Sequence, residues 1–321
     1  MLPIRYVYNI LIRNIKKTGF PFPISPERRY GWAKEINLPR QHDTVLYTSC
    51  LYQLVPYINA MVRFLEKAEK SSLWRFGIKM YSKFEFLDKF SGLFIRVSNK
   101  EIDPINNILK SIALLLRYAG IDFGYLYEDD IYCGALLYDL GLDQLFKKHA
   151  EMIYGILKKN NVKKIITIDP HTYHTFNTLF PKYVDGFDYE VVSYLELLDE
   201  KLPVASNKIN ETYTIHDPCI YARWENIIDP PRNLLERVGA QIVESKKSKV
   251  NTTCCGGPIE SLAPEMSKAV ALGRLNELKE ASTKIITMCP ICYANLGRYA
   301  KELNLEIMDL SQVLAKAFNI I

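Results

Sequence analysis

The chain has 321 residues, 48% apolar and 24% charged, with a net charge of +5. That composition belongs to a globular protein long enough to bury two cores. No run of 18 uncharged apolar residues occurs, which argues against a transmembrane helix. Seven cysteines, an odd number, argue against a disulfide framework and towards metal binding or catalysis.

The first 40 residues hold eight basic side chains against Glu27 and Glu35, a surplus of six, which leaves the rest of the chain at −1. The opening "MLPIRYVYNILIRNIKKTGF" lacks the apolar h-region and small-residue cleavage site of a signal peptide, so a cytoplasmic location is expected. A basic arm over residues 1–42 suits nucleic acid, anionic lipid or an acidic protein. With no nucleic-acid motif beside it, a protein partner is expected. The bland alternative is a solvated surface helix.

Next comes "DTVLYTSC" (residues 43–50), a short β-rich run ending at Cys50. The stretch around residues 71–100 has no counterpart later in the chain. "INNILKSIALLLRYAG" and "LFKKHAEMIYGILKKN" have the spacing of amphipathic helices, with the Cys-Gly turn "YCGALL" (residues 132–137) between them. "KIITIDPHTY" (residues 164–173) is a buried-strand run followed by Asp169 and Pro170, an N-cap with proline at the first helical position. A junction between two domains is expected at residues 202–210.

The second half repeats the first. "ETYTIHDPC" (residues 211–219) answers "DTVLYTSC", "CCGGPI" (residues 254–259) answers "YCGALL", and "KIITMCPICY" (residues 284–293) matches "KIITIDPHTY" at six of ten positions. Between them, residues 260–282 have helical spacing, with Leu262, Met266, Ala269, Val270 and Leu275 expected on the buried face. Strands alternating with helices imply an α/β fold of two pseudo-repeated domains, 43–205 and 206–321. Each is expected to hold a small, mostly parallel sheet flanked by helices, behind the basic N-terminal arm.

Five cysteines gather in the second copy with the spacing C-x34-CC-x33-CxxC: Cys219, Cys254, Cys255, Cys289 and Cys292. Thiolates suit zinc or an iron–sulfur cluster. Gly256 and Gly257 allow a tight turn at Cys254–Cys255, and Pro290 sets Cys289 and Cys292 at a helix N-terminus, where thiolate is favoured. Five exceed what tetrahedral zinc needs, which favours a cluster without excluding zinc. In the first copy Tyr132, Asp169 and Thr172 stand where three of the cysteines would be, leaving Cys50 and Cys133. A mixed zinc site from Cys50, Cys133, His171 and His174 is the sharper alternative there. The bland one is a helix cap and satisfied histidines. His216 and Asp217 either surround the cluster or shape the turn. Tyr47, Tyr173, Tyr221, Trp224 and Tyr293 either shield a cluster from solvent or are ordinary core, the latter being the default expectation.

The "HDPC", "CCGGP" and "CPIC" motifs resemble the cysteine-rich CCG domain that occurs twice in the B subunit of heterodisulfide reductase and its relatives. The resemblance implies that Cys219, Cys254, Cys255, Cys289 and Cys292 ligate a non-cubane [4Fe–4S] cluster, and that the first half is a degenerate CCG domain. It further implies an iron–sulfur redox subunit, an oxidoreductase component that carries electrons to or from, or acts on, a disulfide- or thiol-type substrate. No ferredoxin run occurs in the chain, so a ferredoxin-type subunit, and with it a flavoprotein, are the expected partners, with peripheral docking to a membrane complex compatible. Two other readings stand beside this one: a zinc-holding structural or docking subunit, and a metal-free dithiol oxidoreductase using Cys289 and Cys292.

Overall fold

A computed structural model describes residues 4–69, 76, 77, 79 and 97–320. The stretch around residues 71–100, which lacks a counterpart in the second half, lies largely outside the described residues.

Two four-stranded parallel sheets carry the fold, flanked by helices. The first holds β1 (Thr44–Tyr47), β2 (Gly124–Tyr125), β3 (Lys164–Thr167) and β4 (Glu190–Ser193) in the order β2-β1-β3-β4. The second holds β5 (Thr212–Ile215), β6 (Gln241–Ile242), β7 (Lys284–Thr287) and β8 (Glu306–Asp309) in the order β6-β5-β7-β8. The two orders are the same, so the sequence repeat is a repeat of topology. The central strands "TVLY", "KIIT", "TYTI" and "KIIT" each bury three of their four residues. Such near-continuous burial is what a parallel strand covered on both faces requires. Parallel pairing also puts the C-terminal ends of β1 and β3, and of β5 and β7, on one edge each, and there the repeated cysteine and proline turns lie.

The basic segment does not stand free. Its helix Ile4–Thr18 buries Val7, Leu11 and Ile15 against the first sheet's core with Val45 and Ile165. Its helix Pro26–Glu35 buries Tyr30, Trp32 and Ala33 in the core that contains Tyr125 and Ile112. The cationic groups are the outward side of helices fixed by their apolar sides.

The helix predicted over residues 260–282 is Pro264–Lys279, and its buried face differs from the expected one. Ser267, Ala271, Arg274, Leu275 and Leu278 point inward, whereas Met266 is 62% exposed and Ala269 is exposed. The inward polar pair is held by hydrogen bonds to the second domain's loops, which outweigh the apolar preference of the other stripe.

One continuous apolar core joins the domains, with Tyr52, Ile166 and Tyr194 from the first half packed beside Tyr213, Met288 and Leu310 from the second. Helix Leu51–Glu69 lies on helix Pro290–Ala300, and helix Asn99–Tyr118 on the final helix Leu310–Ala317. At the seam the Tyr52 hydroxyl donates to the Asp309 carboxylate at 2.6 Å. Asp309 caps the final helix by accepting from Ser311 N and Oγ. Tyr52→Phe removes this cross-domain bond without leaving a cavity. Denaturant unfolding should show a loss of about 1–2 kcal/mol, and an unchanged midpoint would show that the bond contributes nothing to holding the halves together.

Candidate metal centre

Three segments deliver the five cysteines. Cys219 follows β5 through the turn His216-Asp217-Pro218. Cys289 is the N-cap of helix Pro290–Ala300, and Cys292 lies in its first turn. Cys254 and Cys255 come after the loop beyond β6 and are turned inward by Gly256, whose φ of +81° is left-handed. A Cβ on Gly256 would meet the Ser267 carbonyl at 2.9 Å, and one on Gly257 would meet Ile291 Cγ2 at 2.3 Å and Cys255 Sγ at 3.4 Å. Only glycines allow the backbone to come this close. Asn295 Nδ2 donates to the Cys255 carbonyl (2.7 Å) and Ser267 Oγ to the Gly256 carbonyl (2.8 Å), which fastens the turn to its two neighbouring helices.

The sulfurs form one connected chain: Cys219 hydrogen-bonds Cys254, Cys254 Cys255, Cys255 Cys292, and Cys292 Cys289. Cys255, Cys289 and Cys292 are buried, while Cys219 and Cys254 keep partial exposure. Neighbouring thiols donating to it, Cys219 first and Cys255 second, hold Cys254 well below the ordinary thiol range. Burial opposes ionisation of Cys289, but hydrogen bonds from Cys292 and His171 hold it well below as well. The donating thiols Cys219, Cys255 and Cys292 are pushed up in consequence. Gly256 N–H and Gly257 N–H approach the sulfurs of Cys254 and Cys255 at 3.3 and 3.4 Å.

His216 lies within 4.8 Å of the Cys255 and Cys292 sulfurs. Its Nδ1 accepts from the fully buried Arg274 (Nε, 3.1 Å), and its Nε2 is buried without a protein partner. Because Nδ1 faces a donor, the ring proton sits on Nε2. Burial, and then the Arg274 charge, push its pKa down to about 3, so the ring is neutral. His216 therefore carries on Nε2 an N–H donor rather than a lone pair, and that donor is unpartnered in the protein. Asp217 takes the other role. It accepts two bonds from Arg232 (2.8 and 3.1 Å) and one from Lys249 N (2.7 Å), so it shapes the loop.

Such a donor set fits a thiolate-ligated centre. Five soft ligands converge in one place, two backbone amides approach the sulfurs, the His216 ring lies within 4.8 Å of two of them, and Cys289 and Cys292 are not an isolated dithiol. Arg274, Ser267 and Asn295 escape a motif reading. The signal that finds Ser267 and Arg274 is a polar stripe at helical spacing with Ala271 and Leu278 on the buried side, whereas Asn295 lies on helix Pro290–Ala300 outside that stripe.

The first half brings no such set together. Cys50 Sγ faces the Asp130 carbonyl (3.4 Å), and Cys133 N–H donates to Ser49 Oγ (3.1 Å). Burial raises both thiols, Cys133 to about 11. Asp169 caps its helix by accepting from Thr172 N (2.9 Å). His174 pairs with Glu225. His171 turns instead to the second half, where its contact with Cys289 outweighs burial and raises it to about 9. No three of Cys50, Cys133, His171 and His174 share a ligand-sized space. Of the five aromatic residues, Tyr47, Tyr173 and Tyr221 are core and Tyr293 is partly buried, but Trp224 is 72% exposed.

A largely apolar cavity of about 270 Å³ lies between the halves. The N-terminal segment (Leu11, Phe22), helix Leu51–Glu69 (Leu54, Ile58), Tyr132 and the CCGGP turn wall it, and His171, Gly257 and Ile291 line it next to the buried cysteines.

Residues 213–297 match the family model described as a cysteine-rich domain, CCG. The chain is similar to the probable iron–sulfur-binding oxidoreductase FadF of Bacillus subtilis, with 32% identity over 64% of this chain and 31% of that protein. It is similar to the EtfAB:quinone oxidoreductase of Syntrophomonas wolfei, with 30% identity over 67% of this chain and 32% of that protein. A third relative is a component of the dihydromethanophenazine:CoB–CoM heterodisulfide reductase of Methanosarcina mazei, with 27% identity over 65% of this chain and 54% of that protein. The chain thus spans about a third of the first two and about half of the third.

Gly257→Ala drives a methyl group into Ile291 and towards Cys255 Sγ. It should cost about 1–3 kcal/mol in thermal or denaturant unfolding, and Ile291→Ala in the same chain should recover most of the loss. A Gly257→Ala protein as stable as the parent would contradict the close approach.

Proposed function

We propose that this chain, whose second half is a CCG cysteine-rich domain and whose relatives include iron–sulfur oxidoreductases, is the cluster-bearing redox module of a larger complex. Cys219, Cys254, Cys255, Cys289 and Cys292 would hold one [4Fe–4S] cluster of the non-cubane kind. The observation that carries this reading is the convergence of five thiols in a single connected chain of sulfurs. A tetrahedral zinc ion would use four and leave the fifth as an unmetallated neighbour.

Bound there, a cluster stores and releases single electrons. The chain's own groups set the surroundings. The amides of Gly256 and Gly257 stabilise negative charge on sulfur, the unpartnered His216 Nε2–H would add to them once a cluster is bound, and Arg274 fixes the orientation of His216. The apolar cavity gives a thiol- or disulfide-type substrate a water-poor approach past Ile291 and His171. Electrons would come from or go to a ferredoxin-type subunit, with a flavoprotein further along. The names of the relatives, a heterodisulfide reductase component and an EtfAB:quinone oxidoreductase, support membership of such an assembly. With no ligand set among the described residues of the first half, the role proposed is electron relay or sulfur chemistry at one centre, not action between two.

Metal and sulfide analysis of anaerobically purified protein tests this. The expected result is about four irons and four sulfides per chain, lost in Cys255→Ser. One zinc and no iron would overturn the redox reading and leave a structural subunit. In the iron-containing protein, His216→Ala removes a donor that favours the more negative, reduced state. The midpoint potential should fall by roughly 40 mV, the one-electron equivalent of about 1 kcal/mol; a rise, or no change, would show that His216 does not face the sulfurs as a donor.

A further inference from the structure

The centre has one side that reaches solvent. Three of the five cysteines are buried, and the two that keep exposure, Cys219 and Cys254, belong to segments that also carry an exposed aromatic and an exposed aliphatic side chain. Trp224, five residues after Cys219, is 72% exposed, and Val250, four residues before Cys254, is 51% exposed. Neither is a slack surface residue. Trp224 lies in a π-helical turn, Tyr221–Glu225, a conformation that often marks functional positions.

Both of its neighbours are tied down. Arg223 donates to the carbonyls of Val250 and Thr252, which joins the two exposed segments. Glu225 accepts from Asn177 (3.0 Å) and Thr178 (2.8 Å) and pairs with His174, across to the first half. Val250 follows Lys249, a non-glycine residue held at φ +56° with its N–H on Asp217. A left-handed backbone at lysine costs about 1–2 kcal/mol, and here it holds an apolar side chain out in water. The acids within reach are already engaged: the Asp217 side chain is 4% exposed and that of Glu225 5%, and Glu244 is bound by Arg232. The cations Arg223 and Lys249 stay on the surface; the charge of Lys249 is felt by Glu244, whose carboxylate is bound by Arg232.

We infer that Trp224 and Val250, with Arg223 and Lys249, form the docking face for an acidic electron-carrier protein of the ferredoxin type. This rests on the redox reading above. An exposed aromatic held in one position and rimmed by cations is the anchor that an acidic partner's apolar centre and carboxylate rim complement. Electron exchange falls steeply with distance, so the carrier seats where the ligand cysteines meet solvent. One electron would leave the reduced carrier, which is oxidised, and pass to a cluster that the five cysteines would hold, which is reduced; no covalent bond forms or breaks.

The test is titration of the full-length, anaerobically purified protein with an acidic [4Fe–4S] ferredoxin at low and at high salt, with iron measured on the same samples. Wild type should bind, and more weakly as salt rises. Trp224→Ala and Lys249→Glu should each weaken binding at least about tenfold with iron content unchanged, whereas Tyr118→Ala, an exposed aromatic on another helix, should not. Absence of binding by wild type, or equal binding by wild type, Trp224→Ala and Lys249→Glu, would overturn the docking face. Full iron with no effect of Trp224 sinks this inference alone; zinc in place of iron sinks the redox reading beneath it.

Discussion

Five thiols in mutual contact are an electrostatic problem before they are a site. Each ionised sulfur makes its neighbour harder to ionise, and burial penalises every charge that remains. The thiols' pKa shifts reflect this: hydrogen bonds from their neighbours hold Cys254 and Cys289 below the ordinary thiol range, and the same bonds push Cys219, Cys255 and Cys292 above it. Most of the second domain's unusual choices follow from that crowding. Arg274 is fully buried, His216 is pinned as a neutral donor, and Gly256 is left-handed so that two amides meet the sulfurs. A metal centre that accepts all the thiolates removes the repulsion that the polypeptide alone can only distribute.

The first domain shows the same frame relieved of the problem. Asp169 and Thr172 occupy the positions of Cys289 and Cys292 and keep the helix start by a carboxylate–hydroxyl and a carboxylate–amide bond. Tyr132 occupies the position of Cys254, its hydroxyl accepting from Leu136 N at 2.7 Å. Asp130, buried, collects Thr48 N, Ser49 N and the Tyr125 hydroxyl. What this half contributes lies at the seam: His171 against Cys289, Tyr132 on the cavity wall, and Asn59 as the acceptor for Arg298, which also pairs with Glu260, two residues past the CCGGP turn.

The repeat made much of this legible. Identical "KIIT" runs followed by a proline turn gave the central strands and both helix starts, because those features depend on neighbouring residues alone. The edge strands were harder. β2 and β6 are two residues each, too short for any periodicity, and β4 and β8 are marked less by their own residues than by the capping boxes Ser193/Glu196 and Asp309/Gln312 that follow them. Helix Pro264–Lys279 misled because its inward stripe is set by what Ser267 and Arg274 bind rather than by hydropathy. Trp224 misled in the opposite sense: tryptophan is expected inside, and only the ties on Arg223 and Glu225 show that it is held outside. The basic segment looked like an arm because its charges are contiguous in sequence, while its apolar residues, spread at helical spacing, are what fix it in place.

The proposed thiolate-held iron–sulfur centre would lie in the second half, with no second one beside Cys50 and Cys133. Diffraction from anaerobically grown crystals, collected on either side of the iron absorption edge, tests it most directly. The account predicts a single iron-specific peak cluster enclosed by the sulfurs of Cys219, Cys254, Cys255, Cys289 and Cys292. A second iron peak beside Cys50 and Cys133, or a lone peak at the zinc edge instead, would contradict it.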